Sequence, residues 1–128
     1  MSKQSALSTC IYTIVHSARL NKVYSQGGSD EFAEKKVWAT AKKLLAQARR
    51  EEKDLLIFFA PAEDTGELIY RAKLEAVKID ANSTTYSFSG LTPYDETKTS
   101  LVVVSTGKPL HADFIRPYAI CKTPEDLL

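Results

Sequence analysis

Leu55-Leu56-Ile57-Phe58-Phe59-Ala60, closed by Pro61, and the segment 68–79, LIYRAKLEAVKI, decide the fold of this chain. The first run is apolar at every position, long enough for a strand buried on both faces and too short for a helix. In the second, Leu68, Tyr70, Ala72, Leu74 and Ala76 alternate with Ile69, Arg71, Lys73 and Glu75 until the phase becomes ambiguous near Val77. That period of two belongs to a half-buried strand. Between them, 61–67, PAEDTGE, reads as an acidic turn.

Further strands are predicted on both sides. Residues 84–91, TTYSFSGL, alternate through Tyr86 and Phe88, and 101–105, LVVVS, is another short apolar run. A turn at Thr106-Gly107-Lys108-Pro109 closes it. Residues 114–121, FIRPYAIC, make the last strand, where Pro117 requires an edge or a bulge. On the N-terminal side, 10–15, CIYTIV, is β-branched and aromatic and reads as the first strand. The first ten residues are polar and read as a fraying end. The stretch 16–28 carries only a weak pattern and ends in a loop at Gln26-Gly27-Gly28.

One long helix is predicted over 29–50. Ser29 or Asp30 supplies the cap, and Glu31 and Glu34 suit the positive end of the dipole. Three basic doublets, Lys35-Lys36, Lys42-Lys43 and Arg49-Arg50, recur every seven residues with no acid from Lys35 to Arg50. At roughly 100° per residue they stack into one stripe. Val37, Trp38, Ala41, Leu44, Leu45 and Ala48 fall opposite, on a core-facing side. Such a stripe is either a solvated surface or a seat for an anion. Like charges three or four residues apart cost a helix a few tenths of a kcal/mol per pair, roughly, so stability alone does not favour them.

Six strands and one helix, joined by connections of about 4–10 residues, predict a single α+β domain over 1–128: a small mixed, largely antiparallel β-barrel, flanked by one long helix and further short ones. The formal net charge of +1 hides a segregation, since 35–50 contributes +6 and the remainder −5. Two cysteines, Cys10 and Cys121, lie far apart in sequence and fit no metal spacing. They read as reduced thiols of a cytoplasmic protein. No run approaches the roughly 18 apolar residues that span a bilayer, and no secretory core is visible, so no membrane partner is expected.

Catalytic patterns are sparse. His16 and His111 are the only histidines and have no ligand spacing, so neither metal nor cofactor is expected. Ser105-Thr106-Gly107-Lys108 resembles the end of a phosphate loop, but Val102 stands where a glycine is needed and Pro109 where a helix should begin. A hairpin turn is the reading. No nucleophile elbow occurs. More suggestive are aromatics interleaved with polar groups at Tyr70-Arg71, Tyr86-Ser87-Phe88 and Arg116-Pro117-Tyr118, the equipment that unstacked bases require. Glu75, the single acid of its strand, reads first as a cross-strand ion-pair partner of basic neighbours.

The order of a helix entering DLLIFFA, a turn, LIYRAKLEAVKI, a last strand FIRPYAIC and the exit KTPEDLL resembles the PUA-like superfamily, especially its ASCH and EVE branches, over 37–128. The resemblance implies a pseudo-barrel with a cleft for RNA or a modified nucleotide. It implies Lys36, Trp38, Thr40, Phe59 and Tyr70 as lining, joined by Arg116 and Tyr118. Lys35, Lys42, Lys43, Arg49 and Arg50 would add phosphate contacts. The Tyr-Trp opening of EVE domains is replaced here by Cys10-Ile11-Tyr12. Some ASCH proteins hydrolyse acylated nucleosides with a lysine, a threonine and a glutamate, for which Lys36, Thr40 and Glu75 are the nearest equivalents. Three functions follow: a noncatalytic RNA- or nucleotide-binding module, a small nucleoside amidohydrolase or ribonuclease, and an interaction protein for an acidic partner.

Overall fold

A computed structural model describes residues 5–61, 69–94, 101–110 and 118–128. The expected acidic turn beyond Pro61, the start of the last strand with Arg116 and Pro117, and His111 lie outside the described residues. The elements run β1 (Thr9–Val15), α1 (Ser17–Ser25), β2 (Asp30–Glu34), α2 (Ala39–Arg50), β3 (Leu56–Pro61), β4 (Tyr70–Asp80), β5 (Ser83–Pro93), β6 (Val102–Val103), β7 (Tyr118–Lys122) and a final 3-10 turn, Glu125–Leu127. Seven strands form one sheet in the order β2-β5-β4-β3-β1-β7-β6. Every neighbouring pair is antiparallel except β1 with β3.

The apolar run at 55–60 has a direct cause. β3 is central, with all of its residues buried. Ile57 and Phe59 face a core closed by Leu20 and Val23 of α1 and by Ala41, Leu45 and Ala48 of α2. Leu56, Phe58 and Ala60 face a second core closed by Tyr94, Leu101 and Leu110, residues outside any helix. The ambiguous phase of β4 is also physical. Register shifts fall between Arg71 and Lys73 and between Leu74 and Ala76. The first adds its extra residue to β5, and the second adds one to β4, which turns the following side chains over and bends that strand. Beyond the second shift Ala76 is exposed while Val77 and Ile79 are half-buried.

The helix predicted over 29–50 is corrected: it begins only at Ala39, and Asp30–Glu34 is a strand. Phe32 explains the difference. On a continuous helix it would lie about 180° from Ala41, among the cations; as a strand residue opposite Tyr86 it is buried. Gly28 delivers the chain to that register. Its φ is +82°, its carbonyl accepts the Leu91 N–H at 3.0 Å, and a Cβ there would stand 2.9 Å from the Leu91 nitrogen. Lys35 and Lys36 therefore precede the helix, and Val37, expected on its apolar side, is exposed. α1, which the sequence left as a weak pattern, buries only Leu20 and Val23. Two apolar positions are too few for a clear helical period.

The predicted barrel is not closed by hydrogen bonds: β2 and β6 end the sheet, and no bridge joins them among the described residues. The sheet nevertheless curls. β5 and β7 are separated by three strands. Yet Tyr86 of β5 and Tyr118 of β7 stack on the same indole, Trp38, at 4.5 Å and 4.7 Å. A side chain at the start of α2 fills the gap between the two flanks.

The cysteines prove to be neighbours. Cys10 and Cys121 are register partners on β1 and β7, and both are fully buried free thiols. Thr123 N–H donates to the Ser8 carbonyl at 2.9 Å. Cys10 and Cys121, two positions further along each strand, are therefore also a hydrogen-bonded pair. The Cβ separation of such a pair, about 5.5 Å, exceeds the roughly 3.5–4.5 Å of a disulfide, so this register does not suit a bond between them. Burial pushes the Cys121 thiol up to about 12, and pushes Cys10 up as well, with the neighbouring Cys121 adding to it.

Candidate functional site

Polar contacts concentrate where the chain enters α2. The Thr84 hydroxyl, fully buried on β5, accepts the Trp38 N–H at 2.9 Å and donates to the Lys36 carbonyl at 2.7 Å. One side chain thus ties both ends of the bend that precedes the helix. The Ala41 N–H donates to the Tyr118 hydroxyl at 3.1 Å. Burial raises the Tyr118 phenol above its ordinary value, and the Ala41 N–H offsets part of that rise. Tyr118, Thr13, Phe59 and Tyr70 form one cross-strand row through β7, β1, β3 and β4. At its far end the Tyr70 hydroxyl donates to Asn21 Oδ1 of α1 at 2.8 Å.

Beside this junction lies a cleft of about 630 Å³. Thr40 of α2, Tyr118, Ala119 and Ile120 of β7, and the hairpin from Val103 to Leu110 line it. The hairpin is the turn expected at 106–109, held by Gly107 N–H to the Val103 carbonyl (2.8 Å) and Val103 N–H to the Lys108 carbonyl (2.9 Å). Of the eleven lining residues, seven are apolar or aromatic; Thr40, Ser105, Thr106 and Lys108 are polar. The size and mixture are those of a small-molecule site.

The sequence candidates separate into groups. Thr40 and Tyr118 meet in the cleft. Trp38 and Phe59 are buried, so their rings serve the core and the Trp38 stack. Tyr70 is half-buried and meets Tyr24 edge-on at 6.1 Å. Lys35, Lys36, Lys42, Lys43 and Arg50 are exposed and have no ion-pair partner among the described residues. Adjacent helical residues diverge by about 100°, so each remaining doublet splits between two sides. Lys43 shares a side with Thr40, three residues before it, whereas Arg49 turns to β4 and donates to the Glu75 carbonyl at 2.6 Å.

Glu75 is not brought to Lys36 and Thr40. It lines a separate pocket of about 220 Å³ with Arg49, Lys53, Asp54 and Lys73. Arg49 lies nine residues beyond Thr40, about 14 Å along the helix. Ser89 Oγ donates to Glu75 Oε2 at 2.5 Å, and Lys73 Nζ lies 3.9 Å from Oε1. The side chain is occupied as a surface ion-pair partner.

Several cleft residues had no sequence signal. Val103 and Lys108 read only as strand and turn, and Leu110 carried no reading, because the folding of that hairpin over β7 is a long-range event. Thr84 read as an ordinary strand residue. A further polar group sits behind the Trp38 stack: the fully buried Tyr86 hydroxyl has no hydrogen-bond partner among the described residues. Burial raises its phenol, nearby Glu34 adds to the rise, and Arg19 opposes it. Glu34 is itself raised, first by burial and against the pull of Arg19. The Arg19 guanidinium lies 4.1 Å from the Phe32 ring centroid.

No group of three or more potential metal ligands occurs among the described residues, and no helix there is long and apolar enough to cross a membrane. In comparisons with known proteins, no family model, curated protein or solved structure matches the chain.

Proposed function

We propose that this chain is a noncatalytic PUA-like module that holds single-stranded RNA or a modified nucleotide, with the base entering the cleft at Tyr118 and the phosphates meeting the cations around the start of α2. The observation that carries this reading is the meeting of Thr40 and Tyr118, distant in sequence, in one 630 Å³ cleft that Lys108 also lines; Lys36 and Lys43 have no ion-pair partner among the described residues. Lys36 leads into Trp38, Lys43 shares the side of Thr40, and Lys108 stands on the opposite wall. The first amides of α2 add to the same field, since the positive end of a helix favours a phosphate. The amidohydrolase alternative has no comparable support, because Glu75 is engaged at the other end of α2.

Trp38 is the only tryptophan, and its ring stacks on Tyr118 at the cleft wall. Its fluorescence therefore reports directly on occupancy. Titration with a short single-stranded RNA should give a saturable change, with affinity falling in salt at a log–log slope of about −0.7 per phosphate neutralised. Lys36→Glu with Lys43→Glu should weaken binding and flatten that slope. Unchanged affinity and slope in the double variant would remove these cations from the interface. Equal competition by polyglutamate would favour an acidic protein partner instead.

A further inference from the structure

We propose that the cleft floor receives an apolar substituent carried on the base, so that the preferred ligand is a nucleotide alkylated on its base with a chain of several carbons. This inference rests on the nucleotide reading above and names the ligand class within it.

The argument starts from how the polar groups are distributed. Thr40, Ser105, Thr106 and Lys108 are all exposed; they form a rim. Below them the walls are Val103, Leu110, Ala119 and Ile120. Three backbone amides of these walls are already used. Val103 N–H donates to the Lys108 carbonyl, Val104 N–H to the Ile120 carbonyl at 3.0 Å, and Leu110 N–H to the Leu101 carbonyl at 2.9 Å. The Tyr118 hydroxyl already accepts from the Ala41 N–H, which leaves it its own proton to offer. An unmodified base pushed to the floor would lose most of its hydrogen bonds to water and find few replacements. A hydrocarbon chain has no such requirement and gains from leaving water. The base edge and phosphate then stay at the rim, where the hydroxyls and lysines are, and the chain fills a volume too large for one ring system.

The test is a homologous series: AMP and its N6-methyl, N6-propyl and N6-pentyl derivatives, titrated against the full chain by Trp38 fluorescence and calorimetry. Affinity should rise about two- to fourfold per methylene. Val104 is 42% exposed and lines the cleft, so Val104→Asp puts a charge in the wall without opening a core. In that variant the dependence of affinity on carbon number should vanish, whatever its affinity for AMP, with thermal unfolding confirming an intact fold. Binding of AMP with no gain along the series overturns this inference and leaves the nucleotide reading standing. The same gain per carbon in Val104→Asp places the chain elsewhere and also overturns it. Binding of pentanol as tight as that of N6-pentyl-AMP assigns the cleft to hydrocarbon alone and overturns it too. Failure of every nucleotide and of RNA to bind overturns both readings.

Discussion

The two ends of α2 carry similar numbers of charged residues and use them in opposite ways. At the C-terminal end, Arg49 donates to a backbone carbonyl, and Lys73 lies between Asp54 at 3.5 Å and Glu75 at 3.9 Å. Arg49, Lys53 and Lys73 each have an anionic or carbonyl partner there, and only Arg50 has none among the described residues. At the N-terminal end, Lys36 and Lys43 have none among the described residues, yet the backbone beneath them is fixed by a buried hydroxyl and a stacked indole. Rigid support under unpaired charge suits binding, whereas charge paired across two elements suits docking of the helix on the sheet. Counting cations along the sequence cannot distinguish these two arrangements.

The largest expected effect falls on the aromatic junction. Trp38→Ala removes a fully buried indole with two ring partners and should cost about 3–5 kcal/mol, measured as the free energy of urea unfolding by circular dichroism. A loss below about 1 kcal/mol, the range of ordinary surface changes, would mean that the stack does not hold the two sheet flanks together.

Next comes the Thr84 clamp. Thr84→Val keeps the shape but strands the Trp38 N–H and the Lys36 carbonyl, at about 1–3 kcal/mol for a buried polar group left unsatisfied. Thr84→Ser should recover most of this. The emission of Trp38 should shift in the valine variant and return in the serine one. Identical spectra for all three proteins would dissociate the clamp from the indole.

A smaller effect with a defined pH dependence belongs to Glu34. Its folded value is raised by burial, so the fold favours the protonated form. The associated stability is fully present below the ordinary carboxylate value of about 4.3 and is lost as pH rises through the folded value. Glu34→Gln should therefore melt higher than the parent at pH 7, with the advantage disappearing near pH 3.5. A variant that melts lower than the parent at pH 7, with the deficit vanishing on acidification, would reverse the sign and reassign Glu34 as a stabilising partner of Arg19.

The smallest effect is expected at the paired end. Glu75→Gln removes an exposed ion-pair partner, and such pairs contribute about 0–1 kcal/mol. Melting temperature and RNA affinity should both stay near the parent values. A large loss of RNA affinity would erase the contrast between the two ends and return Glu75 to the site.

Much of the sheet was legible because its strands carry local signatures. The uniform apolar run of β3 reflects burial on both faces, and the alternation of β4 and β5 reflects burial on one. The phase ambiguity near Val77 marked a real register shift. Asp30–Glu34 was misread because its charged residues continue smoothly into the basic doublets; the single clue was Phe32, out of phase with Ala41. In the cleft, Tyr118 was legible as an aromatic beside polar groups, whereas Thr40 and Glu75 became candidates through the resemblance alone.

The sequence by itself determined the elements whose periodicity repeats within one segment: β1, β3, β4, β5, the core of α2 and the turn at 106–109. Only the tertiary structure decided that β5 and β7 share Trp38, that Thr84 holds Lys36, that the hairpin walls a cleft with Thr40, and that Cys10 opposes Cys121 without bonding to it. The physical reason is range. Periodicity records which side of a segment is dry, a property of neighbours along the chain, whereas a cleft and its charge balance depend on contacts between residues as far apart as Ala41 and Tyr118.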